Sequence, residues 1–109
     1  MDQVILVMTN LPDVASAQAL AHALVQARLA ACVNLLPGVQ SVYRWQGKIE
    51  QASEVTLTIK TTQARYQQIE QAILAAHPYD LPEIITLPLT GHAAYLHWIK
   101  QETAQNENA

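Results

Sequence analysis

Val55-Thr56-Leu57-Thr58-Ile59-Lys60 alternates without a break between apolar and polar residues. A period of two sends successive side chains to opposite faces, so this stretch is a strand with one buried face and one polar face. It closes a longer return that runs from Ile49 to Thr61 behind a turn at Gln46-Gly47-Lys48. The partner leading into that turn is Ala31 to Trp45, also of strand composition, interrupted at Pro37-Gly38 where a bend or bulge is expected. Beyond the interruption Val39, Ser41, Tyr43 and Trp45 share a face.

Working outward, Val4 to Met8 is a continuous apolar run of strand length, and Asn10-Leu11-Pro12-Asp13 is expected to break it. Asp13 then caps a helix from Val14 to about Leu29, with Ala17, Leu20, Ala21, Leu24 and Arg28 on one stripe and Gln18, His22 and Gln26 on another. After the hairpin, Thr62 is placed to cap a second helix whose inward stripe is Tyr66, Ile69, Ile73 and Ala76, and Pro78 stops it. Glu83 to Leu89 reads as a last strand and Ala93 to about Thr103 as a short terminal helix. The order β-α-β-β-α-β defines an α+β fold, the ferredoxin-like antiparallel sheet with two helices on one face, plus a C-terminal helix. Residues 1–104 form one domain in this reading, and the polar residues 105–109 a disordered tail.

The 109 residues are half hydrophobic, enough for one core and not for two. The net charge of −3 argues against a nucleic-acid partner, which a basic surplus would favour. No apolar run approaches the ~20 residues of a membrane span. Cys32 is the single cysteine, so no internal disulfide forms, and a polar N-terminus without a basic leader points to a cytoplasmic setting. The uncovered sheet face, with Val39, Tyr43, Trp45 and Trp98 still to be hidden, predicts self-association.

The catalytic inventory is thin. His22 falls on a solvated stripe, and His92 and His97 flank the last helix without the i,i+4 spacing of a metal pair. Glu50, Glu54, Asp80 and Glu83 have no spacing of an acid–base pair, and Met8-Thr9-Asn10-Leu11-Pro12 carries no Arg for a phosphate cradle. Cys32 reads first as a core thiol. His77, just ahead of Pro78-Tyr79, reads either as a helix cap or as a metal or anion contact. The chain is therefore not expected to be an enzyme, and it needs no resident cofactor.

Four stretches together resemble the CutA family of divalent-cation tolerance proteins: Ala27 to Asn34, Tyr43 to Ile49, Ile59-Lys60-Thr61 and His77 to Ile84. The likeness continues through Tyr95-Leu96-His97-Trp98-Ile99. It implies a homotrimer that looks like the PII signalling proteins, linked to tolerance of Cu(II) and other divalent cations. The copper-ligand positions proposed in that family fall here on Thr9, Ala76 and His77, of which only His77 has a ligating side chain. Cys32 is the remaining soft donor. The expected site is an inter-subunit cleft of Trp45, Lys60, His77, Tyr79, Glu83 and Trp98, open to a divalent metal or a small anion. The alternative function is a PII-like trimer that binds a small ligand or signals without a physiological metal.

Overall fold

The alternating stretch lies at the end of the longest strand of a computed structural model that describes residues 2–104. The chain runs β1 (Val4–Leu11), α1 (Val14–Gln26), β2 (Cys32–Trp45), β3 (Lys48–Thr62), α2 (Tyr66–Ala76), β4 (Ile85–Pro88) and α3 (Ala93–Glu102). All pairings in the sheet are antiparallel, in the order β2-β3-β1-β4. This is the expected α+β architecture; the tail at 105–109 lies outside the described residues.

The alternation fixes which face is filled. Val55, Leu57 and Ile59 of β3 join Ile5, Val7 and Leu11 of β1, and α1 and α2 close over them with Ala17, Leu20, Leu24, Ile69 and Ile73. The intervening residues face the other side, where α3 lies against β1 and β3 and where Val4, Thr62 and Ile99 are buried. Away from α3 that second face carries exposed apolar residues, Leu36, Ile85 and Leu87.

β3 is nearly twice as long as β1. Val55 to Thr62 pairs with β1, and Thr56 to Lys60 within it with β2 as well, whereas Lys48 to Glu54 pairs with β2 alone. The hairpin therefore extends past the body as a two-stranded arm, and the molecule is drawn out to 49 × 28 × 22 Å. Gln46 and Gly47 both take positive φ (50° and 80°), the two-residue primed turn whose twist suits such a hairpin. At the arm's base, Pro37 and Gly38 together oppose Val55 between the pairs Leu36–Thr56 and Val39–Glu54. That is the anticipated bulge, and Gly38 at φ 76° supplies the left-handed residue.

Several boundaries differ from expectation, each for a local reason. β1 does not stop before Asn10: Asn10 and Leu11 pair with Thr56 and Val55, and tertiary pairing outweighs the turn propensity of Asn. α1 ends at Gln26 rather than Leu29, because Arg28 turns left-handed at φ 60° and points outward to donate from Nη2 to Gln101 O at 3.2 Å. Thr62 stays in β3 and makes no capping hydrogen bond; the backbone N–H of Ala64 is taken by Asp2 Oδ1 instead. Ala76 is exposed, and Ala72 packs in its place. β4 is limited to Ile85–Pro88, the stretch that finds β1 beside it. Asp13 caps α1 as anticipated, accepting from Ser16 N at 2.7 Å.

Thr9 is fully buried, and its Oγ1 is the one buried side-chain polar atom without a partner among the described residues. An orphaned hydroxyl costs about 1–3 kcal/mol relative to an apolar group of the same shape. Thr9→Val is expected to raise stability by about 1 kcal/mol, read as a higher urea midpoint at unchanged slope. A lower midpoint would mean that the hydroxyl has a partner, such as a buried water.

Candidate functional site

A cavity of about 820 Å³ opens where the hairpin arm leans over the loop joining α2 to β4. One wall comes from the arm: Ser41, Val42, Tyr43 and Trp45 of β2, with Ala52 and Glu54 of β3. The other comes from the loop: Pro78, Tyr79, Asp80, Leu81 and Glu83, with Asn10 at the end of β1 forming the floor. The two walls exist because β3 outruns β1 and because Pro78 ends α2, releasing the chain across the open end of the sheet.

Asn10 ties these parts together. Its side-chain Oδ1 accepts from Thr56 Oγ1 at 2.6 Å, and its Nδ2 donates to Glu83 Oε1 at 3.4 Å. Its main-chain carbonyl accepts from His77 Nε2 at 2.5 Å. The loop is fixed a second time from above: Tyr79 donates its phenol to Glu54 Oε2 at 3.0 Å. Burial and that bond to a carboxylate push the Tyr79 phenol up to about 12. Both effects favour the neutral, donating form.

His77 is held on both sides. Because Nε2 faces a carbonyl, it must carry the ring proton, and Nδ1 then accepts the Tyr79 N–H at 3.3 Å. The ring also lies 4.7 Å from that of Tyr79. Neither nitrogen has a free lone pair, so the His77 expected as a metal contact is, in this fold, the latch that anchors the loop. Thr9 is sealed in the core and Ala76 has no donor, so the three family positions do not compose a copper site here. Cys32 is no substitute. It is half-buried rather than a core thiol, and it pairs with Lys60 four positions along β3 from Thr56, about 13 Å away at ~3.3 Å per residue. No group of three His, Cys, Asp or Glu able to hold a metal occurs among the described residues.

The cleft anticipated from sequence divides in two within one subunit. Trp45, Tyr79 and Glu83 line the cavity, with His77 behind it. Lys60 and Trp98 belong to a separate patch further along the sheet beside α3, where Lys60 Nζ lies 3.4 Å from Tyr95 Oη and Tyr95 packs 5.5 Å from Trp98. With Lys60 removed, the lining contains Glu54, Asp80 and Glu83 and no Lys, Arg or His. Carboxylates lining a concavity favour positive charge there over the small anion expected from sequence. Sequence reading missed Glu54, Asp80, Tyr43 and Asn10 as site residues. Asp80 sat inside a quoted motif, and Glu54 showed only as an acid entering an otherwise Thr-lined face.

Residues 5–102 match the family described as "CutA1 divalent ion tolerance protein". The chain is 41% identical over 104 residues to a divalent-cation tolerance protein CutA of Thermus thermophilus, covering 94% of this chain and 99% of that one. It is 44% identical over 100 residues to a chloroplastic protein CutA of Arabidopsis thaliana, covering 91% of this chain and 55% of the relative's length. Among solved structures it superposes on the periplasmic divalent cation tolerance protein CutA of Archaeoglobus fulgidus with a TM-score of 0.88 at 31% identity, covering 92% and 98% of the two chains. The names "chloroplastic" and "periplasmic" correct the cytoplasmic expectation. The physical reason is plain: one unpaired thiol is compatible with oxidising and reducing compartments alike. Among the described residues no helix is long and apolar enough to cross a membrane.

The Tyr79–Glu54 bond sets an alkaline limit. The ordinary phenol value is 10.0, and here it rises to about 12. The bond's contribution to stability is therefore complete below pH 10 and is lost as pH rises towards about 12. Spectrophotometric titration of the tyrosines is expected to show a late-ionising phenol that Tyr79→Phe removes. A parent titration curve unchanged by that substitution would contradict the assignment.

Proposed function

Because this chain belongs to the CutA1 divalent ion tolerance family, we propose that it is a non-enzymatic homotrimer whose cations gather in the cavity beneath the hairpin arm. The observation that carries this reading is the lining itself: Glu54, Asp80 and Glu83 line the cavity, and no basic side chain is among its lining residues. Carboxylates on low-dielectric walls concentrate a negative potential inside a concavity. Oxygen donors suit hard divalent ions, and the imidazole–thiolate set that copper prefers is missing. Cu(II) therefore binds weakly and without marked selectivity, through the cavity's carboxylates rather than through His77.

Support for the trimer comes from what one subunit leaves unfinished. β2 and β4 are free sheet edges, and Leu36, Ile85 and Leu87 lie bare beside them. Edge-to-edge pairing between copies would satisfy the main chain and cover the apolar face, and closed rings are the usual outcome of such contacts. The alternative, a small-ligand protein of PII type, is favoured by the cavity's volume, which exceeds that of a bare ion many times over.

Calorimetric titration with Cu(II), Zn(II) and Ca(II), alongside light scattering, tests this proposal. The expected mass is about 36 kDa, three times the 12.0 kDa chain. Affinity should fall at least about tenfold in the Asp80→Asn/Glu83→Gln variant, as for the loss of a ~1.4 kcal/mol interaction. It should persist in His77→Gln, which keeps a donor for Asn10 O. A monomer, or copper binding lost with His77 and indifferent to the carboxylates, overturns it.

A further inference from the structure

The cavity's composition is more specific than its charge. Its mouth and walls carry three aromatic rings, Tyr43, Trp45 and Tyr79, interleaved with the carboxylates of Glu54, Asp80 and Glu83. Glu54 is the most informative of these. It is only 7% exposed, and its Oε2 is taken by the Tyr79 phenol. Its Oε1 has no hydrogen-bond donor among the described residues, and the residue lines the cavity. A nearly buried carboxylate with one oxygen unpartnered is costly unless something positive visits it.

The carboxylates form no three-donor cage around one ion among the described residues, so a divalent ion is held loosely and room is left for a larger cation. The space, about 820 Å³, is that of an organic ligand. Aromatic faces attract cations through their ring quadrupoles, and best those too weakly hydrated to prefer water. We infer that this cavity is a binding site for an organic ammonium cation, its charged head between Glu54 and the aromatic rings and its body along Val42, Pro78 and Leu81. The inference rests on reading the cavity as a cation site and names the ligand class it is built for.

The probes are choline and benzyltrimethylammonium, with dimethylbutanol as the uncharged carbon isostere of choline, titrated into the full chain by calorimetry and followed by tryptophan fluorescence. Saturable binding of the quaternary cations is expected, with choline preferred over its isostere by at least about tenfold. Trp45→Ala should weaken binding by about fivefold, the scale of one exposed cation–π contact. Glu83→Gln keeps an acceptor for Asn10 while removing the charge, and is expected to weaken binding by a similar factor. This second variant decides the matter if Trp45→Ala does not fold. Equal binding of choline and dimethylbutanol, no saturation by either quaternary cation, or indifference to Glu83→Gln overturns the inference. If divalent ions bind in the parallel titration while the quaternary cations do not, the cavity is an ion site alone and the proposed function survives without this ligand class.

Discussion

The length mismatch between β3 and β1 governs the rest of the structure. Eight residues of β1 meet the last eight of β3, and there the sheet acquires two helices and a core. The other seven residues of β3 have only β2 beside them. A two-stranded ribbon has no core of its own and is at best marginal in water, so it must lean on something. Here it leans over the loop after α2, and the space between them is the cavity. The same mismatch leaves the edge of β3 from Lys48 to Glu54 free, and with the outer edge of β2 it points to assembly.

Holding that space open requires a stiff loop, and the stiffness comes from Asn10. A residue at the end of β1 gives its carbonyl to His77 and its side chain to Thr56 and Glu83, so β1, the adjoining β3 and the loop share one anchor. Tyr79 closes the arrangement against Glu54 on the arm. These polar groups are committed to one another, which explains why the imidazole that resembles a copper ligand has no lone pair to offer. What remains uncommitted is one oxygen each of Glu54 and Glu83, the Asp80 carboxylate and the aromatic rings of the lining. The chemistry of the cavity is the chemistry of what the scaffold did not consume.

Much of this was legible in the sequence, and the failures are instructive. Strict alternation at Val55 to Lys60 identified the core strand, and the Pro37-Gly38 and Gln46-Gly47 punctuation located bulge and turn, because in each case one local rule dominates. Asn10 was misread as a strand breaker because its pairing with Thr56 is remote, beyond any local signal. Arg28 was placed on an inward stripe by periodicity alone, with no way to see the chain turn left-handed there. The proposed cleft grouped residues by motif. Tertiary structure sorted them by position along the sheet: Lys60 lies beside Tyr95 and Trp98 near α3, six residues along β3 from Glu54, while Trp45, Tyr79 and Glu83 gather at the arm. That separation took Lys60 out of the cavity and left a lining whose charged side chains are carboxylates.

The central claim is that cations enter beneath the arm and not at the imidazole or the thiol. Amide chemical-shift mapping during titration with diamagnetic Zn(II) addresses it directly, provided the long-range imidazole correlations of His77 are followed at the same time. The account predicts that shifts concentrate at Ser41 to Trp45, at Glu54 and at Tyr79 to Glu83, while the His77 ring nitrogens keep the pattern of a proton on Nε2. Zinc-induced displacement of the His77 ring nitrogens, or shifts centred on Cys32, Asn34 and Lys60, would contradict it.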